Sequence, residues 1–306
     1  MKILITGGAG FIGSHLTDRL VADGHSVTVL DSLLRGNKLA KETFDKIEFI
    51  KADVRDLDAV VSASKNCDVI FHMAAVLGVD IVADNPVETM DVEIIGTRNV
   101  VTAAELNNVK KVLYASTSGI YGHSSFEKSL SEEVLVDPRT SYAMAKRYNE
   151  IYLASHHQEK GLNAISLRFF NVYGTRQDNR MVVPLFFEQA ISKVPLSVFG
   201  SGEQTRDFTY IEDTIEACVR CMSLNGCQII NIANEEEYQI KDVADMIKEI
   251  TESSSEIKFI EAPKKRYDYE VGRRIGSSSK LQELTGYKPH TKLRDGLTQI
   301  FIAQHK

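Results

Sequence analysis

The chain has no long basic run, no cysteine framework, no membrane-length apolar stretch and no low-complexity linker. Each absence removes a class of protein. No basic run exceeds Lys264-Lys265-Arg266, and the formal charge is −6 over 306 residues, so nothing points to a nucleic-acid surface. Four cysteines, Cys67, Cys218, Cys221 and Cys227, follow no disulfide spacing. Cys218 and Cys221 sit in an apolar helical pattern with Ile215, Ala217, Val219 and Met222, with no histidine beside them. That pattern predicts buried free thiols and no metal site. Unpaired thiols suit a reducing compartment. No run of 18 apolar residues is present, which argues against a spanning helix. The first residues already read as strand and turn rather than a leader, so the expected location is the cytoplasm. No Pro- or Ser-rich linker and no internal repeat divides the chain. The 43% hydrophobic and 25% charged content is ordinary for a globular protein, enough for one large domain or two modest ones.

The stretch Lys2 to Ser14 is the most informative. An apolar strand runs into Thr6-Gly7-Gly8-Ala9-Gly10-Phe11-Ile12-Gly13, and a helix predicted over 11–23 follows. Gly8-x-Gly10-x-x-Gly13 satisfies the dinucleotide fingerprint, and Gly7, Gly10 and Gly13 are evenly spaced. One glycine makes the tight turn, one admits a pyrophosphate, and one lets helix and strand pack closely. Gly7, Gly10, Phe11, Ile12 and Gly13 are therefore candidate cofactor contacts, with phosphate at the helix N-terminus. A second strand, 26–30, ends on Asp31, 18 residues past Gly13. A carboxylate there suits the ribose 2′-hydroxyl and repels a 2′-phosphate, which favours NAD over NADP. Arg35 is the residue that keeps NADP in play.

Strands and helices then alternate. Strands are expected at 47–51, 68–72, 111–115 and 163–167, and long helices at 86–107 and 142–160. This predicts an α/β fold: a Rossmann-type doubly wound parallel sheet with ligands at the carboxyl ends of the strands. Beyond about residue 170 the strands shorten (196–199, 208–211, 229–232, 257–260) among helices near 183–192, 213–224, 240–251 and 295–303. The expected division, within one continuous body and with some segments interleaved, is a cofactor domain over 1–170 and a smaller C-terminal α/β substrate-binding region over 171–306, with substrate between them.

Tyr142-Ala-Met-Ala-Lys146 puts a phenol and an ammonium on one helix face. A free tyrosine titrates near about 10, and bringing it to neutrality asks for roughly 4 kcal/mol of differential stabilisation. A neighbouring ammonium and an oxidised nicotinamide both act in that direction. Thr117, at a strand end, offers a hydroxyl to a substrate alcohol while Tyr142 exchanges that alcohol's proton.

These residues resemble the extended short-chain dehydrogenase/reductases, specifically the nucleotide-sugar epimerase/dehydratase family, over nearly the whole chain. The motifs are Thr6 to Gly13, Asp31, Asp53, His72 to Ala75, Ser116 to Gly122, Tyr142 with Lys146, Arg168 to Gly174 and Gly200 to Phe208. The resemblance implies that Asp53 and Val54 flank adenine, and that Ala74 and Ala75 line the ribose and pyrophosphate. It makes Thr117, Tyr142 and Lys146 the catalytic set, with Tyr142 and Lys146 also touching the cofactor. It gives Asn171 to the sugar or its phosphates and Arg206 to the diphosphate. Arg266 is the choice for a second phosphate contact, with Arg273 or Arg274 as alternatives, because the stretch 264–274 departs from the family pattern. Glu93 departs too, standing where the family usually has asparagine. The resemblance further implies a homodimer built on the two long helices.

The residues after Thr117 bear on the reaction. Family dehydratases place an Asp-Glu pair where Ser118 and Gly119 stand, and sugar-acid decarboxylases usually have glutamate at Gly119. A 4-epimerase needs only Thr117, Tyr142, Lys146 and held NAD. The expected activity is thus 4-epimerisation of a nucleotide sugar, with a UDP-sugar favoured. A 4-ketoreductase or UDP-glucuronate decarboxylase is the alternative, and a non-catalytic NAD sensor stands last. Sugar identity rests on loops near 76–84, 123–129 and 177–180, where Arg180 faces either a uronic acid or solvent.

Overall fold

The structure, a computed structural model, describes residues 1–76, 82, 84–123, 129–262 and 271–304. Lys264, Lys265 and Arg266 lie outside the described residues, as do 77–81, 83 and 124–128 of the specificity loops. The chain divides into two compact units.

The first unit comprises Met1–Ile120, Pro138–Arg168 and Ile215–Ile230. Its strands are β1 (Lys2–Thr6), β2 (Ser26–Asp31), β3 (Glu48–Lys51), β4 (Val69–His72), β5 (Lys111–Thr117) and β6 (Asn163–Phe169). With β10 (Cys227–Ile232) they form a seven-stranded sheet in the order β10-β6-β5-β4-β1-β2-β3. The pairs β1–β2, β2–β3, β1–β4 and β4–β5 are parallel. Strand order reverses between β1 and β4, and a Rossmann-type doubly wound sheet presents its ligand crevice at that reversal.

Strand alternation builds the two faces. Leu4, Leu30, Ile70 and Val112 share one core with Val60 of α3 (Leu57–Ala63), Val100 and Ala104 of α4 (Pro86–Leu106) and Leu153 of α5 (Ser141–Lys160). Ile3, Ile5, Val27 and Val29 alternate to the opposite face, and α1 (Phe11–Ala22) packs on β1 and β2. A fully buried leucine or isoleucine of this kind contributes roughly 1.5–3 kcal/mol. α4 opens with Pro86 in its first turn, where proline's missing N–H is no loss. α5 is capped by Thr140, whose side chain accepts from Ala143 N at 3.0 Å, and it stops at Gly161 with a left-handed φ of 73°. The short α2 (Lys41–Phe44) and α3 have too few turns for a clear period, which is why sequence pattern passes over them.

The second unit comprises Tyr121–Asp137, Phe169–Thr214 and Asn231–Lys306. Here β9 (Thr205–Tyr210) is flanked by β7 (Asn171–Tyr173), β11 (Glu237–Gln239) and β13 (Arg273–Arg274), while β8 (Leu196–Phe199) pairs with β12 (Ile257–Ile260). The helices α6 (Val182–Ile191), α8 (Ile240–Ile250), α9 (Ser279–Thr285) and α10 (Leu293–Gln304) accompany them, while α7 (Ile211–Cys221) belongs to the first unit from Ile215 onward. Cys218 and Cys221 are buried in α7, and all four cysteines are free. Asp207, buried in β9, accepts backbone N–H bonds from Asn234 (2.9 Å), Glu235 (3.0 Å) and Gly276 (3.2 Å). Burial nevertheless pushes it up to about 6. Among the described residues, no helix is long and apolar enough to cross a membrane.

Candidate active site

The glycine turn follows from sterics. Gly7 has φ of 72°, and a Cβ there would lie 2.6 Å from Ala74 N; at Gly13 it would lie 2.1 Å from Gly7 O. Nothing larger fits either position. No side chain caps α1. Ser14 N bonds to Gly10 O, whereas the N–H groups of Phe11, Ile12 and Gly13 meet no acceptor among the described residues. Three unmatched donors at a helix N-terminus, reached across glycine backbone, fit a pyrophosphate. Asp31 completes the cradle: its carboxylate accepts from Ala9 N at 2.9 Å and Leu33 N at 2.8 Å, which fixes the turn to the end of β2. Burial raises Asp31 and those two N–H bonds oppose the rise. Each oxygen keeps a lone pair for a ribose hydroxyl.

The other cofactor candidates lie on the same unit. Asp53 pairs with Arg55 at 2.7 Å, and that contact holds its carboxyl below the usual range. Val54 is buried against α4 at Gly96, where a Cβ would sit 2.6 Å from Val54 Cγ1. Ala74 and Ala75 are half-buried just past β4. His72, at the end of β4, is fully buried between Thr6 Oγ1 (2.7 Å) and Thr97 Oγ1 (3.1 Å). Burial, then the Lys146 charge, pushes it down to about 3, so it is a neutral strut and not a proton carrier.

The catalytic candidates converge where β5 ends and α5 begins. Thr117 is the last residue of β5, and its Oγ1 accepts from Gly119 N at 3.0 Å. A Cβ on Gly119 would lie 3.3 Å from Thr117 Oγ1 and 3.9 Å from Ala143 Cβ, so Gly119 is tucked against the threonine and the first turn of α5. Tyr142 is half-buried in that turn, and Lys146 is fully buried one turn on. The Lys146 ammonium donates to Ala115 O at 2.7 Å and lies 5.4 Å from the Tyr142 ring centre and 4.7 Å from the Tyr114 ring centre. It also forms an ion pair with Glu93 Oε2 at 2.9 Å, both side chains being 0% exposed. The contact is an ion pair rather than an aligned hydrogen bond. Burial raises Glu93, and Lys146 and the Val76 N–H oppose that rise. Burial, then the Glu93 carboxylate, pushes the Tyr142 hydroxyl well above its usual range. The expected easing of Tyr142 ionisation by Lys146 is thus opposed in the free protein, because the ammonium faces an anion of its own.

Sequence reading noted Glu93 as a departure but not as a partner of Lys146. A signal was present: Thr89, Glu93, Gly96, Thr97 and Val100 form the buried stripe of α4, and a lone acid in such a stripe needs a cation.

The anion-binding candidates lie on the second unit. Arg206 on β9 and Arg274 on β13 are register partners, and Asn171 on β7 pairs with Phe208, two residues from Arg206. Strand alternation puts Asn171, Arg206 and Arg274 on one face. Arg206 donates to Thr205 O at 2.8 Å. Arg273 is held by Glu237 at 2.9 Å, and Arg180 is paired with Asp178. Arg274 differs: its Nε is buried without a hydrogen-bond partner, and burial together with Arg206 pushes it down to about 10. Two adjacent guanidinium groups, one of them unmatched, suit a diphosphate.

Comparison with known proteins bears on both units. Residues 3–233 match the model of the NAD dependent epimerase/dehydratase family. The chain is 37% identical over 312 residues to a UDP-N-acetyl-alpha-D-glucosaminuronate decarboxylase of Bacillus cytotoxicus, covering 97% of this chain and 96% of that one. It is 30% identical to the UDP-glucose 4-epimerase of Thermotoga maritima solved with UDP-glucose, with a TM-score of 0.93 and 100% of each chain covered. The UDP-glucose 4-epimerase of Thermus thermophilus, solved with NAD, gives a TM-score of 0.90 at 30% identity over 98% of this chain and 97% of that one.

Proposed function

The chain belongs to the NAD-dependent epimerase/dehydratase family, with NAD as cofactor, and we propose that within it this enzyme is a nucleotide-sugar 4-epimerase acting on a UDP-sugar. The observation that carries this reading is the site around Thr117: one proton-transfer group, Tyr142, and no carboxyl at Gly119. NAD, when bound, supplies the acceptor for a hydride from sugar carbon 4 and its return. The chain's own residues do the rest. Thr117 orients the 4-hydroxyl, Tyr142 removes its proton and later restores it, and Lys146 anchors that end of α5 to β5 through Ala115 O. Arg206 and Arg274 hold the diphosphate, and Asn171 the sugar or its phosphates. Held mainly through its nucleotide, the 4-keto sugar would be free to present either face to the site.

A second reading, decarboxylation of a UDP-sugar acid, is favoured by the 37% identical relative. Against it stands Gly119, where a side chain would crowd Thr117. The two readings separate on incubation with UDP-glucose, UDP-N-acetylglucosamine, UDP-glucuronate and UDP-N-acetylglucosaminuronate. The 4-epimer of any of them, without carbon dioxide or net NADH, is the expected outcome. Carbon dioxide from either acid would move the assignment to the decarboxylases.

Homodimerisation is part of the same proposal. α4 and α5 pack side by side and leave Ile95, Met144, Tyr148 and Ile151 exposed, a two-helix apolar face that a second copy would cover as a four-helix bundle. A monomer mass in solution would refute it.

A further inference from the structure

Glu93 is a fully buried acid that the proton transfer described above does not require. A neutral amide in its place would fill the same stripe of α4 without bringing a charge beside Tyr142. The groups around it are Lys146 and Tyr142 on α5, Tyr114 on β5, His72 on β4 and, one turn beyond Lys146, Glu150. Burial, then the Lys146 charge, favours the neutral form of His72. Burial pushes the Tyr114 hydroxyl well up, so it stays protonated. The Glu150 carboxylate is matched by Arg168 at 2.9 Å. Among the described residues, Lys146 and Glu93 are therefore the charges that decide whether a phenolate forms at Tyr142, and they oppose each other at 2.9 Å.

We propose that Glu93 is a positioning residue that commits the Lys146 ammonium to itself, so that Tyr142 keeps its proton until the oxidised cofactor brings a second positive charge. Proton removal is thereby tied to the cofactor state that can accept a hydride. With the reduced, uncharged nicotinamide in place, the same tyrosine is returned to its phenol form, ready to give the proton back. The proposal rests on the reading of Tyr142 as the proton-transfer group.

The test is an ultraviolet difference titration of tyrosinate in the full-length protein, with Tyr142→Phe protein as the blank. In Glu93→Gln the Tyr142 step should fall by about one pH unit or more, because an anion has gone and the ammonium is left to favour the phenolate. The rate should rise with pH through that same lowered step, since the deprotonated tyrosine is the base. In the wild type, the step should lie lower with oxidised than with reduced cofactor. Coincident steps in wild type and Glu93→Gln would overturn the proposal, as would coincident steps for the two cofactor states. Should Glu93→Gln fail to fold, Glu93→Asn, which removes the same anion, is titrated in its place and decides by the same shift. A shifted step in a protein that makes no epimer would uphold Glu93's role and sink the epimerase assignment; epimer formation with an unmoved step would do the reverse.

Discussion

The two units treat buried positive charge in opposite ways. In the first unit the two buried cations among the described residues each meet an acid: Lys146 pairs with Glu93, and Arg168 grips Glu150 through Nε and Nη2 at 2.9 Å each. In the second, the half-buried Arg274 stands beside another arginine, and its buried Nε has no hydrogen-bond partner among the described residues. A paired buried charge holds structure together, while an unpaired one raises the free energy of the empty protein and lowers it again when an anion arrives. In the proposed function the first arrangement has to keep its geometry through a proton transfer, and the second receives the diphosphate.

The largest effect expected from this contrast is on turnover. Tyr142→Phe removes the proton-transfer group and leaves the charges of both units untouched. Turnover should fall by roughly 10²- to 10⁴-fold, the usual contribution of general acid–base catalysis, while cofactor content and the affinity for UDP stay as in the wild type. Steady-state rates beside bound-NAD and UDP-binding measurements check this. Turnover that survives would mean that the first unit's buried pair serves the fold alone.

A smaller, purely structural effect should follow from Glu150→Ala. Glu150 receives Ser116 Oγ at 2.6 Å, Arg147 Nη1 at 3.0 Å and both Arg168 contacts, so it ties α5 to β5 and β6. Removing it takes its paired carboxylate from Arg168, which is 1% exposed. Breaking a buried pair in this way costs about 3–5 kcal/mol, readable as lost unfolding free energy in denaturant titration. A loss near zero would erase the distinction drawn between the units.

What could be read from sequence divides along the same line. The turn from Gly7 to Gly13 was legible because sterics allow only glycine at a left-handed φ or against a neighbouring carbonyl. Tyr142 and Lys146 were legible because helix spacing alone brings them together. Thr117 stood out as the polar end of an apolar strand. The Lys146–Glu93 pair joins residues 53 positions apart, and only the packing of α4 on α5 creates it. The choice among Arg266, Arg273 and Arg274 was harder still. A two-residue strand has no period, so the register with β9 settles which of Arg273 and Arg274 stands beside Arg206. Three-residue β7 and β11 escaped notice for the same reason, although Asn171 on β7 was singled out by its motif.

The finest discrimination comes from Arg274→Gln, because here stability and binding should move apart. A hydrogen bond to a charged group contributes about 1.5–3 kcal/mol, so the substitution should weaken binding of UDP or a UDP-sugar by roughly 10- to 100-fold. NAD affinity, which we assign to the glycine turn and Asp31, should not change. Unfolding free energy should stay level or rise, since the variant relieves a cation held against Arg206 and lacking a partner at Nε. Calorimetric titration with UDP and a denaturant series on the same protein give both numbers. A fall in stability comparable to that of Glu150→Ala would show that Arg274 is a structural member of β13, and the two units would then differ in topology but not in how they use charge. Weaker binding in a protein that is no less stable is what an arginine kept in readiness for a diphosphate must show.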